Sequence, residues 1–230
     1  MAITAYQQTI IIAVLSGVIP TLLWLRFWLN EDRERSEPRV LIFLCFLVGG
    51  LGVLLATPLE KFVATIITDR TTSIAIWAGI EEVIKYFSVA IIAFGTSALD
   101  EPIDYPMYLI AGALGFAAVE NTFFLIKPIL AGQATISFIT SNLRFLGSTL
   151  LHAVASALIG IFLGLAFYET KAVRKIYFLF GMIGAIALHT VFNFFIIDNE
   201  NKNMWNVFGF LWVIGIIVVL LLEKLKRMRE

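Results

Sequence analysis

Seven stretches of about 20 mostly apolar residues follow one another along this chain, each close to the length a helix needs to cross a bilayer. They run over about 8–29, 40–59, 73–95, 107–126, 142–168, 176–197 and 205–222. Charged residues make up 15% of the 230 residues, against roughly 25% in a soluble domain. The mean hydropathy of +0.90 points the same way. The expected fold class is all-α: a polytopic membrane helix bundle of about seven transmembrane helices. No low-complexity segment, soluble domain or internal repeat stands out, so residues 1–230 read as a single transmembrane domain.

Three further local features shape this reading. Ile10 to Trp28 has no basic stretch before it and no small-residue cleavage site after it, so it reads as a retained helix. Pro20 lies inside that span, where membrane helices tolerate it. Lys61 to Ile67 is apolar but too short to span, and is expected to form a re-entrant or interfacial turn.

Lys and Arg together number 17, as do Asp and Glu, so net charge favours neither nucleic acid nor an acidic partner. The distribution is more informative. Arg33, Arg35 and Arg39 follow the first span, Lys171, Arg174 and Lys175 the fifth, and Lys224, Lys226, Arg227 and Arg229 the last. The opposite loops hold Lys61, Arg70, Lys127 and Lys202. The positive-inside rule therefore puts the N-terminus outside and the C-terminus in the cytoplasm of a multi-pass cell-membrane protein. The loop carrying Asp100, Glu101 and Asp104 would then be cytoplasmic despite lacking basic residues. Cys45, the single cysteine, has no partner for an intrachain disulfide.

Polar residues occur where lipid makes them expensive. Glu81, Glu82 and Lys85 fall in the third span, Glu120 and Asn121 in the fourth, His152 in the fifth, and His189 and Asn193 in the sixth. Each ionisable group at mid-bilayer costs a few kcal/mol even on lenient scales, about 2.5–3.5. Blander roles exist for some of them. Glu81 and Lys85, spaced i,i+4, fit a self-neutralising pair on one helix face. Asn121 and Asn193 fit interhelical glue, and Arg144 fits a side chain that snorkels to the interface.

Depth and facing argue for a site. Glu81, Glu120, His152 and His189 lie roughly 6 to 11 residues from the outer ends of four different spans, about 9–16 Å at 1.5 Å per residue. His152, Ser156, Gly160 and Gly164 form one four-residue stripe, and Gly181, Ala185, His189 and Asn193 another. Small residues at that spacing mark close helix contact, so both histidines should face the bundle, with Ser156 as a packing residue. Gly112 and Phe116 lie under Glu120 in the same way.

Carboxylates and imidazoles in a water-reached cavity suit general acid–base chemistry, and histidine or asparagine can stabilise an oxyanion. Those parts describe hydrolysis of a peptide bond without a covalent intermediate. Two histidines with a glutamate also match a His₂Glu zinc set. The H-E-x-x-H motif is absent, because Ala153 follows His152. No organic cofactor is called for; zinc stays open.

Four motifs in order carry a family resemblance: Glu81-Glu82-x-x-Lys85; Gly112-x-x-x-Phe116-Ala117-x-x-Glu120-Asn121; His152-x-x-x-Ser156; and His189-x-x-x-Asn193. Together, over 81–193, they resemble the PrsW family of intramembrane proteases, which make the first cut in membrane-bound anti-sigma factors. The related type II CAAX prenyl endopeptidases carry E-E-x-x-x-R and F-x-x-x-H, where this chain has Tyr86 and Glu120. Those departures favour PrsW.

The resemblance implies a membrane-anchored protein substrate, cut near the extracytoplasmic face. It implies that Glu81 and Glu82 supply the base and that Glu120 is a second acid–base or orienting group. His152 and His189 would bind water or polarise the carbonyl, with Asn193 assisting and Lys85 and Asn121 in support. Two rival readings of the same residues are a proton-coupled transporter and a non-catalytic peptide-binding membrane protein.

Overall fold

The computed structural model describes residues 4–30, 37–197 and 204–228. Arg33, Arg35, Lys202 and Arg229, used above to orient the chain, lie outside the described residues. The first helix, α1 (Ala5–Leu29), opens on a capping box in which Thr4 and Gln7 satisfy each other's backbone N–H groups. It is followed by α2 (Arg39–Ile66), which starts directly after Pro38, and by α3 (Arg70–Ala93). Asp69 caps α3 by accepting the Thr72 N–H at 2.7 Å. That bond holds the Asp69 carboxyl below its usual range.

Next come α4 (Asp104–Leu130), α5 (Ala134–Leu143) and a π-helical turn (Arg144–Ser148) running straight into α6 (Thr149–Leu165). The described part ends with α7 (Lys171–Ile197) and α8 (Met204–Lys226). Among the described residues no strand occurs. Counting α5 to α6 as one rod, six helices among the described residues are long and apolar enough to cross a membrane. The seventh long helix, α3, is set apart by Arg70, Glu81, Glu82 and Lys85.

Two boundaries differ from expectation. Residues 61–66 are the last turns of α2 and form no separate re-entrant element. Helix geometry keeps the backbone hydrogen-bonded at lower cost than a turn would, even where Lys61 interrupts the apolar run. The fifth span starts earlier than 142, because α5 and the π turn extend the helix back to Ala134.

The core is organised around α4, whose residues from Asp104 to Ala118 are all buried. It packs against α1, α2 and α6. Close approach is set by small residues: a Cβ on Gly49 would strike the backbone of Gly112, and one on Gly160 the backbone of Pro106. In lipid, such contact yields the packing that holds helices together. The two small-residue stripes behave as expected, Gly160 and Gly164 meeting α4 or the residues just before it and Gly181 meeting α6 at Ile159. Apolar side chains such as Ile91 and Phe138 point outwards instead, as a lipid-facing surface requires.

Gly115 offers a direct test of this packing. A Cβ there would collide with the Phe46 carbonyl of α2. Gly115→Ala is therefore expected to destabilise by about 1–3 kcal/mol through forced backbone movement. The readout is a lower midpoint in thermal unfolding in detergent; an unchanged midpoint would mean that α2 and α4 are not in contact there.

Candidate active site

Five of the predicted residues converge from four helices. From α3 come Glu81 and Glu82, from α4 Glu120, from α6 His152 and from α7 His189. All but Glu120 are buried to 5% exposure or less, and the Glu120 side chain keeps 21%. The shared depth inferred from the four motifs is thus a shared place.

The two glutamates of the E-E pair are in different environments, as the helical turn of about 100° per residue requires. Glu82 points into a closed network. Its Oε1 accepts from Lys85 Nζ at 2.5 Å and faces His189 Nδ1 at 2.7 Å, while Ser156 Oγ donates to its Oε2 at 3.4 Å. Glu81 instead faces the gap between the histidines, its Oε2 lying 3.8 Å from both His152 Nδ1 and His189 Nε2. That buried oxygen has no hydrogen-bond partner.

Donor and acceptor roles follow from the neighbours. An ammonium only donates, so His152 Nδ1, 3.0 Å from Lys85 Nζ, accepts. In the neutral ring the proton then sits on Nε2 and points at Glu120 Oε2, 3.1 Å away. A carboxylate only accepts, so His189 Nδ1–H donates to Glu82, leaving the Nε2 lone pair towards Glu81. Each imidazole is therefore braced by a carboxylate on one side and presents its other nitrogen towards Glu81. The rings stand perpendicular, with centroids 5.2 Å apart. Phe116 packs beneath His152 and beneath the Lys85 ammonium.

This is a donor set that suits a metal ion. Glu81, His152 and His189 each bring one ligand atom within 4.8 Å of the other two. The set is of the His₂Glu kind used by catalytic zinc. The orphaned Glu81 oxygen and the carboxylate behind each histidine are the features such a centre needs.

Several residues sit differently from their expected places. Lys85 pairs with Glu82 at i,i+3 rather than with Glu81 at i,i+4. Arg144 does not snorkel: it forms an ion pair with Glu120, donates to Asn121 Oδ1 at 2.5 Å and lies over the Phe124 ring at 3.9 Å. The π turn begins at this residue, and such turns re-aim side chains by adding a residue to one turn. Pairing with Glu120 at the cavity wall takes the place of a reach for headgroups. Asn121 also donates to Thr149 at 2.9 Å, so it ties α4 to α6. Ser156 does more than pack, since its hydroxyl reaches Glu82. Asn193 lines the cavity but makes no bond to the cluster.

A cavity of about 710 Å³ opens onto the cluster. Glu81, Glu120, His152 and His189 line its inner wall, and Trp77, Phe123, Phe124, Phe192 and Phe208 make much of it aromatic. Lys127, Thr140 and Ile196 lie towards the ends of α4, α5 and α7 away from the basic segments. Glu60 also lines it. Sequence reasoning missed Glu60 because the second span was ended one residue before it. The signal available was an apolar run that resumes after Lys61 and carries the helix on to Ile66.

The sequence model described as "PrsW family intramembrane metalloprotease" matches residues 37–222. Protease PrsW of Geobacillus kaustophilus is 27% identical over 194 residues, covering 80% of each chain. Protease PrsW of Shouchella clausii is 23% identical over 217 residues, covering 93% of this chain and 97% of that one. Protease PrsW of Bacillus subtilis is 24% identical over 224 residues, covering 94% of each. No solved structure matches the chain.

Proposed function

Because this chain belongs to the PrsW family of intramembrane proteases, we propose that it hydrolyses a peptide bond of a membrane-anchored protein at the cluster of Glu81, His152 and His189. The observation that carries this reading is the buried, unpartnered Glu81 oxygen between two histidines, each braced from behind by a carboxylate. A structural bundle has no use for such an arrangement, whereas a hydrolase needs a place where water is held against a carbonyl.

Glu81, His152 and His189 would hold a zinc-class ion, and such an ion, when bound, supplies Lewis acidity towards the carbonyl and the water. The chain's own residues do the rest. Glu82 fixes the ring of His189, and Glu120 that of His152, so the nitrogens facing Glu81 keep one orientation. Lys85 compensates the charge of Glu82 behind the site, and Arg144 that of Glu120 at its edge. With Lys85 against His152 Nδ1, cation binding at that nitrogen requires the ammonium to turn wholly to Glu82. Asn193, on the cavity wall, is placed to hold the substrate main chain. Aromatic walls exclude water from all but the reacting centre and accept an unwound apolar segment.

The N-terminus is outside and the C-terminus in the cytoplasm, which puts the cavity in the outer half of the bilayer and the cut near the extracytoplasmic face. Support comes from Arg39, Lys171, Arg174, Lys175, Lys224, Lys226 and Arg227, all at the ends of helices opposite the cavity mouth. An anti-sigma factor with one transmembrane helix and a short ectodomain is the substrate class this topology serves.

The test is proteolysis in liposomes of purified protein with single-pass substrates, products being identified by mass spectrometry. Cleavage within a few residues of the outer membrane face is expected, together with its loss on chelation and its return with zinc. Cleavage that ignores a strong chelator would remove the ion from the mechanism, and cleavage only at the cytoplasmic face would overturn the orientation.

A further inference from the structure

Three carboxyl groups beside Glu81 lie in or near the site, and two of them are committed elsewhere. Glu82 is locked by Lys85, His189 and Ser156, and it does not line the cavity. Glu120 is engaged by Arg144 and His152. Glu60 is different. It sits on α2 six residues before the helix ends at Ile66, and it lines the same cavity as Glu81 and the histidines. Its side chain and that of Glu81 face the same space.

The placement is built, not incidental. The Glu60 carbonyl accepts the Trp77 Nε1–H at 3.1 Å, and Trp77 stands one helical turn before Glu81 on α3. That bond fixes the register of α2 against α3 beside the cavity. Among the described residues no lysine or arginine is bonded to Glu60, so an ion-pair role does not account for it. A carboxyl within a membrane span, half-buried and without a cation, is an expense that calls for a use.

We propose that Glu60 is a catalytic residue: the carboxylate that accepts a proton from the attacking water and returns it to the leaving amine. This rests on the hydrolase reading of the Glu81 cluster. Water bonds through oxygen to the carbonyl carbon of the scissile peptide, and one of its protons goes to Glu60. When the tetrahedral adduct collapses, the C–N bond breaks and that proton goes to the departing nitrogen. The products are one carboxylic acid and one amine, and Glu60 is again a carboxylate. With Glu60 taking the proton from the α2 side, Glu81 remains free for its part in the cluster with His152 and His189.

The experiment compares wild type, Glu60→Gln, Glu60→Asp and Glu81→Gln in the liposome assay, with zinc content and thermal unfolding measured on each sample. Glu60→Gln keeps the backbone bond to Trp77, so its unfolding midpoint and zinc content should match wild type. Its kcat should fall by about 10²–10⁴-fold, the usual span for a lost general base, with KM little changed. Glu60→Asp should recover part of that loss. Glu60→Gln cutting at more than half the wild-type rate would overturn the assignment, as would loss of zinc in step with activity, which would make Glu60 a ligand. An active Glu81→Gln would instead remove the underlying reading, so the two failures are told apart.

Discussion

Glu81→Gln should yield a folded, membrane-inserted protein that no longer cuts. The substitution keeps the shape of the side chain and removes the charge from an oxygen that is 3.8 Å from each of two imidazole nitrogens and bonded to nothing. No hydrogen bond of that oxygen is lost, so stability should not fall. The expected result is an unchanged or slightly raised unfolding midpoint beside a fall in cleavage of about 10³-fold or more, at the upper end of what one acid–base or oxyanion group contributes. Zinc content should fall with it if Glu81 is a ligand, since a neutral amide is a far poorer donor than a carboxylate. Measuring cleavage, metal content and unfolding on one preparation decides the matter. An active, zinc-free Glu81→Gln protein would sink the site.

Glu82→Gln should look different although it is the adjacent residue. Here the carboxylate is fully buried and is the counter-charge of a fully buried lysine. Breaking one side of such a pair typically costs about 3–5 kcal/mol, because the remaining ammonium stays out of water without compensation. The protein is therefore expected to lose stability as well as activity, with a markedly lower unfolding midpoint in detergent.

Glu82→Gln combined with Lys85→Met removes both charges and should regain most of that stability, as replacement of buried pairs by apolar groups often does. Activity should not return, since His189 would still lack the carboxylate that orients its ring. If Glu82→Gln proved as stable as wild type, the network around Lys85 would not be carrying the fold. If the double variant cut normally, Glu82 would have no positioning role.

These two predictions also mark the limit of what could be read from the chain. The pair Glu81-Glu82 announced itself as costly charge in a span, and helical geometry alone said that the two side chains diverge. Which of them meets Lys85 was not legible. Both i,i+3 and i,i+4 neighbours lie on the same side of a helix, so the choice fell to what surrounds them: His189 and Ser156 close around Glu82, and the cavity opens at Glu81. Arg144 shows the same limit. Its position near a helix end suggested the interface, but a π turn and the partners Glu120 and Asn121 draw it inwards. Glu60 was hidden for a third reason. A charged dipeptide late in an apolar run reads as the edge of the membrane, and only the tertiary structure brings it to the Trp77 ring nitrogen and the cavity wall.

What the amino-acid sequence determined by itself is the set of properties that depend on near neighbours and on the solvent. Runs of about 20 apolar residues demand helices in a bilayer. Stripes of small residues choose the faces that touch, and the four motifs share a depth because rise per residue is constant. Tertiary structure decided the rest: which oxygen is bonded and which is orphaned, which nitrogen of each histidine faces the gap, and which carboxyl approaches from α2. Those depend on contacts between residues far apart in the chain, at separations of a few ångströms. Helical periodicity resolves a face but not an atom.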